Sequence, residues 1–337
     1  MTREDNQPSR KALEVCVRRS ELGWLSLGVW LIASSAGFGG KSSTGDDRRQ
    51  ISVRGTELAY VESGQGEPIV LIHGAVADLR AWDGLRPLLA KRYRVVAYSR
   101  RFHAPNRAPA DGDPASTHQL HAEDLVALIH ELKLGAVHLV GHSQGGVVAA
   151  LVAKQHPNLV RSVTLIEPSL FSIVGDSSTA QFAMQEVHRG IGLSRAALDR
   201  KDSEAAIRAL VDMAFHPSTF LSLGTEFQRM TRENAASWAW QLQHHQPEPA
   251  FTCADAAAIQ SPSLLIVGDR SRVAFKLVVD LLLTCAVSSQ REIIHRSDHG
   301  LIVEQPRATA RAIETFLKRL LPAGFSEAEI RPLIPAP

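Results

Sequence analysis

The sequence predicts an α/β fold: a mostly parallel central sheet with helices on both faces, interrupted late in the chain by a helical insertion. Three observations carry that expectation. Short unbroken apolar runs, such as Pro68-Ile69-Val70-Leu71-Ile72 and Val163-Thr164-Leu165-Ile166, suit strands covered on both faces. Helical patterns alternate with these runs, as strand–helix–strand units require. From about Ser172 to Ala250 the strand pattern stops and only helical patterns remain.

Composition narrows what such a fold can serve. A chain of 337 residues can bury about three-quarters of its unfolded surface, so its core needs no staple. Apolar residues at 45% and charged residues at 21% exclude wholesale disorder. With 37 Lys and Arg against 35 Asp and Glu the net charge is +2, and no basic stripe points to nucleic acid. Three cysteines exclude a disulfide framework, and no Cys/His cluster proposes zinc or another metal. Cys253 and Cys285 are free to pair in an oxidising compartment, which spacing alone does not decide. No nucleotide, flavin or other cofactor motif occurs, and the expected partner is a small-molecule substrate; nothing speaks to oligomeric state.

Residues 1–36 read as an export signal or an uncleaved membrane anchor. A mixed-charge start ends in Arg18-Arg19, an uncharged run follows from Leu22 to Ala33, and small residues come after it. The run falls short of the about 20 residues that a membrane span needs. Export would place the protein in the periplasm or outside the cell; without a signal it stays in the cytoplasm. Residues 37–50 are a polar linker, and 322–337 form a C-terminal tail.

The folded part divides into a first core segment (51–171), the helical insertion as a lid (172–250) and a second core segment (251–321). Residues 51–53 and 57–62 alternate around Arg54-Gly55-Thr56 as a hairpin does. Strands are expected at 68–72, 93–98, 137–140, 163–166, 264–267 and 292–295, and helices at 117–132, 146–154, 273–286 and 308–321. The insertion contains Phe182, Met184, Met213, Phe215, Phe220, Phe227, Trp238 and Trp240, which suit either an apolar pocket or the core of the lid itself.

After the strand Val137-His138-Leu139-Val140 comes Gly141-His142-Ser143-Gln144-Gly145-Gly146, and then a small-residue helix. This is G-x-S-x-G between strand and helix, the setting in which a tight turn exposes a serine hydroxyl as a nucleophile. The glycines allow strand and helix to approach closely. The helix N-terminus offers the Gln144 N–H and a partial positive charge to a developing oxyanion.

With these residues the chain resembles the α/β-hydrolase superfamily over roughly 51–321. The resemblance also rests on Leu71-Ile72-His73-Gly74, Trp82, and the late Ser297-Asp298-His299 followed by Glu304-Gln305-Pro306. It implies that the Ala75 N–H is the second oxyanion donor and that His73 braces the loop. It also implies the order nucleophile, acid, histidine, with His299 as the base that a serine hydroxyl needs. His142 is read as structural, and His244-His245 as paired surface histidines, with lining of the pocket as the alternative.

The acid departs from the family pattern. The usual position, three residues after Gly268, holds Ser271, which carries no charge. Glu167, ending the strand before the insertion, is the favoured acid, and Asp269 is the alternative. Asp298, adjoining His299, is discounted. After the fourth strand, Tyr98-Ser99-Arg100-Arg101-Phe102-His103 lacks the family's glycines; its arginines brace the loop or meet a substrate carboxylate. The leading reading is a serine hydrolase cleaving a carboxylic ester, lactone or thioester. Hydrolysis of a carbon–carbon bond by the same residues is the alternative, and a catalytically silent binder is the alternative of another class.

Overall fold

The computed structural model describes residues 47–175, 177–216, 219–246 and 248–320. The expected signal at 1–36, residues 37–46 of the linker and the tail at 322–337 lie outside the described residues.

Among the described residues eight strands form one sheet: β1 (Arg49–Val53), β2 (Thr56–Ser63), β3 (Pro68–Ile72), β4 (Arg94–Tyr98), β5 (Val137–His142), β6 (Val160–Ile166), β7 (Ser263–Gly268) and β8 (Ser289–Ile294). Their order is β1-β2-β4-β3-β5-β6-β7-β8. The β1–β2 and β2–β4 pairs are antiparallel and all later pairs are parallel. The hairpin joining β1 to β2 turns through Arg54 and Gly55, both at positive φ (46° and 75°), as a two-residue hairpin turn demands.

The helices are α1 (Arg86–Leu89), α2 (His118–Glu131), α3 (Gln144–Gln155), α4 (Ser178–Asp199), α5 (Ser203–Ala214), α6 (Thr219–Ser222), α7 (Thr225–Glu233), α8 (Ala235–Gln243), α9 (Cys253–Ala257), α10 (Val273–Cys285), α11 (Leu301–Glu304) and α12 (Pro306–Leu320). Side chains of a strand alternate between faces, and β3 divides accordingly. Val70 and Ile72 join a core with Leu125 and Leu128 of α2, Val148 of α3 and Val278 of α10. Ile69 and Leu71 join the opposite core with Trp82, Leu89 of α1, and Ile313 and Phe316 of α12. Ile69 to Ile72 are therefore all buried, which explains why the parallel strands read as unbroken apolar stretches rather than alternating ones.

Between β6 and β7 the described residues contain helices and no strand, from α4 to α9. Trp238 of α8 donates its indole N–H to Ser194 Oγ (2.8 Å), which in turn donates to the Ala206 carbonyl (2.8 Å), so one buried hydroxyl ties α4, α5 and α8 together. None of the described helices is long and apolar enough to cross a membrane.

Cys253 at the start of α9 and Cys285 at the end of α10 form a disulfide, with Cα atoms 5.2 Å apart. It pins the returning end of the insertion to a core helix. Closing a separation of 32 residues removes denatured-state entropy worth roughly 3–4 kcal/mol. The double variant Cys253→Ser/Cys285→Ser is expected to lose about that much in a urea titration; a variant as stable as the parent would show that the bridge adds nothing.

Candidate active site

Strand register places the central residues. In the β5–β6 ladder His142 lies opposite Ile166, and in the β6–β7 ladder Ile166 lies opposite Ile266. Ser143 and Glu167, each one residue beyond, therefore stand side by side at the carboxyl edge of the sheet. The Ser143 amide donates to the Ile166 carbonyl and the Glu167 amide to the Ile266 carbonyl, both at 3.0 Å.

Ser143 has φ 54° and ψ −121°, a sparsely populated conformation held by the turn between β5 and α3. The flanking glycines permit it. A Cβ on Gly145 would stand 2.0 Å from the Ile72 carbonyl oxygen, and one on Gly141 would stand 2.2 Å from the Gly145 carbonyl oxygen. No side chain fits at either position without moving backbone.

Glu167 is fully buried and its carboxylate has three donors. His299 Nδ1–H donates to Oε2 at 2.8 Å, the Gly268 amide donates to Oε1 at 2.8 Å, and the Ser271 hydroxyl donates to Oε1. Ser271, at the position where an acid was expected, thus serves the carboxylate of the neighbouring strand. Asp269 is elsewhere: it accepts from His295 Nδ1–H and the Ser297 amide, both at 3.3 Å. The Arg296 amide chiefly, with Ser297 and His295, holds its carboxyl below the usual carboxylate range. Asp298 accepts from the Gly300 amide (3.0 Å) within its own turn.

The His299 ring is enclosed on several sides. Phe275 of α10 stacks on it with centroids 4.1 Å apart, His142 lies 4.6 Å away, and Phe215 meets it edge-on at 5.5 Å. His142 also donates from Nε2 to the His299 carbonyl (2.9 Å), which gives this histidine a definite task that its place beside the nucleophile did not reveal. Among the described residues no hydrogen bond joins Ser143 Oγ to His299, yet both front one cavity of about 400 Å³.

That cavity lies between the sheet edge and the insertion. Ala75 and Gln144 line it beside Ser143, and neither amide has a hydrogen-bond acceptor among the described residues. Of the apolar residues singled out in the insertion, Met213, Phe215, Phe227 and Trp238 line the cavity. Met184, Phe220 and Trp240 are buried elsewhere and Phe182 is exposed. His244 and His245 are both exposed, as expected from sequence; His245 also fronts the cavity, and His244 stacks on Trp240 at 3.5 Å. No three His, Cys, Asp or Glu side chains gather as a metal site would require among the described residues.

The sequence pattern of the alpha/beta hydrolase fold family matches residues 67–274, more than half of the chain. The chain belongs to the α/β-hydrolase family. An AB hydrolase superfamily protein of Gibberella zeae is 36% identical over 141 residues, covering 39% of this chain and 45% of that protein. The chain thus matches less than half the length of that relative. The 2-hydroxy-6-oxo-6-(2'-aminophenyl)hexa-2,4-dienoic acid hydrolase of Metapseudomonas resinovorans is 23% identical over 83% of this chain and 93% of its own. Among solved structures, a bacterial membrane phospholipase A superposes with a TM-score of 0.66 at 25% identity, covering 81% of this chain and 86% of that one.

In this member of the family buried histidines and arginines gather in the loops after β3 and β4. His73 donates from Nδ1 to the Gly74 carbonyl (2.8 Å), bracing the loop, and packs edge-on against His103 at 4.7 Å. Arg101 forms a two-pronged ion pair with Asp124 of α2, both contacts at 2.7 Å, and Arg100 donates to the Gly74 carbonyl at 2.8 Å. Both arginines brace loops, and neither lines the cavity.

Burial, then the Arg100 charge, holds His73, His103 and His121 well below the ordinary histidine value; burial and then His299 do the same for His142. The native state excludes protons that the unfolded chain binds below about pH 6.5, so stability is full above that value and falls as pH drops. Each such ring adds a slope approaching about 1.4 kcal/mol per pH unit. Urea midpoints are expected to hold from about pH 8 to 7 and fall steeply towards pH 5; a flat profile would show that these rings take up protons without unfolding.

Proposed function

We propose that this protein is a serine hydrolase that cleaves a carboxylic ester, lactone or thioester of a small organic molecule through an acyl-enzyme on Ser143. The observation that carries the reading is the 2.8 Å bond from His299 Nδ1–H to the buried Glu167 carboxylate, made at the edge of the cavity that Ser143 fronts. With that proton engaged, Nε2 is the free base of the ring. His299 takes the hydroxyl proton as Ser143 attacks the carbonyl carbon, and Glu167 stabilises the imidazolium. The Ala75 and Gln144 amides receive the oxyanion. His299 then gives its proton to the leaving group, and a water deprotonated by the same ring releases the acid.

The apolar lining supports an acyl or alcohol group of several carbons, while Arg195, Gln241 and His245 add polar points to the same wall. A second reading is kept because the Metapseudomonas relative, similar over most of both chains, is named as a dienoic acid hydrolase. In that reading the same three side chains hydrolyse a carbon–carbon bond beside a ketone. The disulfide supports export, since such bridges persist in oxidising compartments.

A fluorophosphonate probe tests the main reading. The parent is expected to label, and Ser143→Ala to abolish labelling. Glu167→Gln should slow it by about 10²–10⁴-fold, as loss of the acid partner does in such triads, with Asp269→Asn near the parent. Slow labelling in Asp269→Asn with Glu167→Gln unaffected would transfer the acid role to Asp269. A folded parent that does not label at all would favour a silent binder.

A further inference from the structure

Arg100 follows β4 and its side chain is enclosed, with the residue only 1% exposed. Its neighbour Arg101 has Asp124 as a counter-ion; among the described residues no carboxylate lies in ion-pair range of Arg100. Burial lowers its pKa to about 10, so it stays charged at neutral pH. An uncompensated buried cation costs several kcal/mol, so its surroundings matter.

Those surroundings are the back of the oxyanion loop. Arg100 Nη2–H donates to the Gly74 carbonyl at 2.8 Å and approaches Gln144 Oε1 at 3.5 Å, while Nε–H has no partner among the described residues. The Arg100 amide donates to His73 Nε2 (2.9 Å), which puts the proton of that ring on Nδ1, where it too donates to the Gly74 carbonyl. Both lone pairs of one carbonyl are therefore occupied. The Gly74–Ala75 peptide is trans, so its N–H points opposite to its C=O. Clamping the carbonyl from behind aims the Ala75 N–H towards the cavity, and donation to a carbonyl strengthens the N–H of the same amide as a donor.

We propose that Arg100 is a positioning residue for the oxyanion site: it fixes and polarises the Gly74–Ala75 peptide and places a buried positive charge behind the two amides. The proposal rests on the hydrolase reading above. The other groups facing Arg100 are His73, His103, His121 and Tyr98, and none supplies a negative charge at neutral pH. Arg100 touches no substrate, since it lies outside the cavity lining. Among the described residues its charge is unopposed, and it gains a counter-charge only when the oxyanion forms, the condition under which an interaction lowers a barrier rather than a ground state.

The test compares Arg100→Met, Arg100→Gln and Arg100→Lys in the full chain, on a p-nitrophenyl ester and with an alkyl boronic acid, which forms a tetrahedral anionic adduct on serine. Active sites are counted with the fluorophosphonate. Arg100→Met is expected to lose about 10–100-fold in kcat per labelled site, with KM changed less than about 2-fold and the boronate affinity falling in step with kcat/KM. Arg100→Lys should recover most of the loss, and Arg100→Gln, a donor without charge, should fall between. Unchanged kcat and boronate affinity per labelled site in a folded variant would overturn the proposal and leave Arg100 a structural residue. If Arg100→Met does not fold, equal values for the Gln and Lys variants overturn the role of charge. A parent that neither labels nor turns over any ester instead sinks the hydrolase reading, and this role with it.

Discussion

The buried carboxylate of Glu167 is the constraint from which the rest of the site follows. A fully enclosed negative charge persists only when its oxygens are supplied with donors. Here they come from three places distant in sequence: the amide of Gly268 at the end of β7, the hydroxyl of Ser271 beyond it, and the imidazole of His299 after β8. Meeting that demand draws two loops and a strand end to one point. Removing one donor would leave a buried carboxylate short of a hydrogen bond, a cost of about 1–3 kcal/mol. His299 is thus held by electrostatics on one edge and by the faces of Phe275 and His142 on the others.

This arrangement shows how a carboxylate one strand away from the family's usual acid position reaches the loop of His299. Ends of neighbouring parallel strands lie at one level, so a carboxylate after β6 is as near the last loop as one after β7. The vacated position is reused: Ser271 places a hydroxyl on the relocated carboxylate, and Asp269 turns outward to bind the amides of Arg296 and Ser297. What read in sequence as a missing acid is a donor in the folded protein.

Behind Ser143 the molecule is polar, and in front it is apolar. Three buried, neutral histidines and the lone charge of Arg100 back the Gly74–Ala75 loop, whereas Met213, Phe215, Phe227 and Trp238 of the insertion face the cavity. The low dielectric of the apolar side strengthens every interaction aimed at a developing charge. The disulfide between α9 and α10 anchors one end of that insertion.

Local pattern was enough for the sheet, the insertion and the elbow. Runs such as Pro68–Ile72, with both faces buried, and a serine between glycines at a strand–helix junction owe their signal to neighbours a few residues away. His299 and Glu167, which the structure brings within 2.8 Å, were picked out by their order along the chain and their place after strands. The partners were not. That Ser271 serves Glu167, that His142 holds the carbonyl of His299, and that Arg101 has a counter-ion while Arg100 has none among the described residues depend on contacts between residues 23 to 157 positions apart. Hydrogen bonds and charge pairs act over a few ångströms in space, and only the register of the strands and the packing of the insertion bring those distances about.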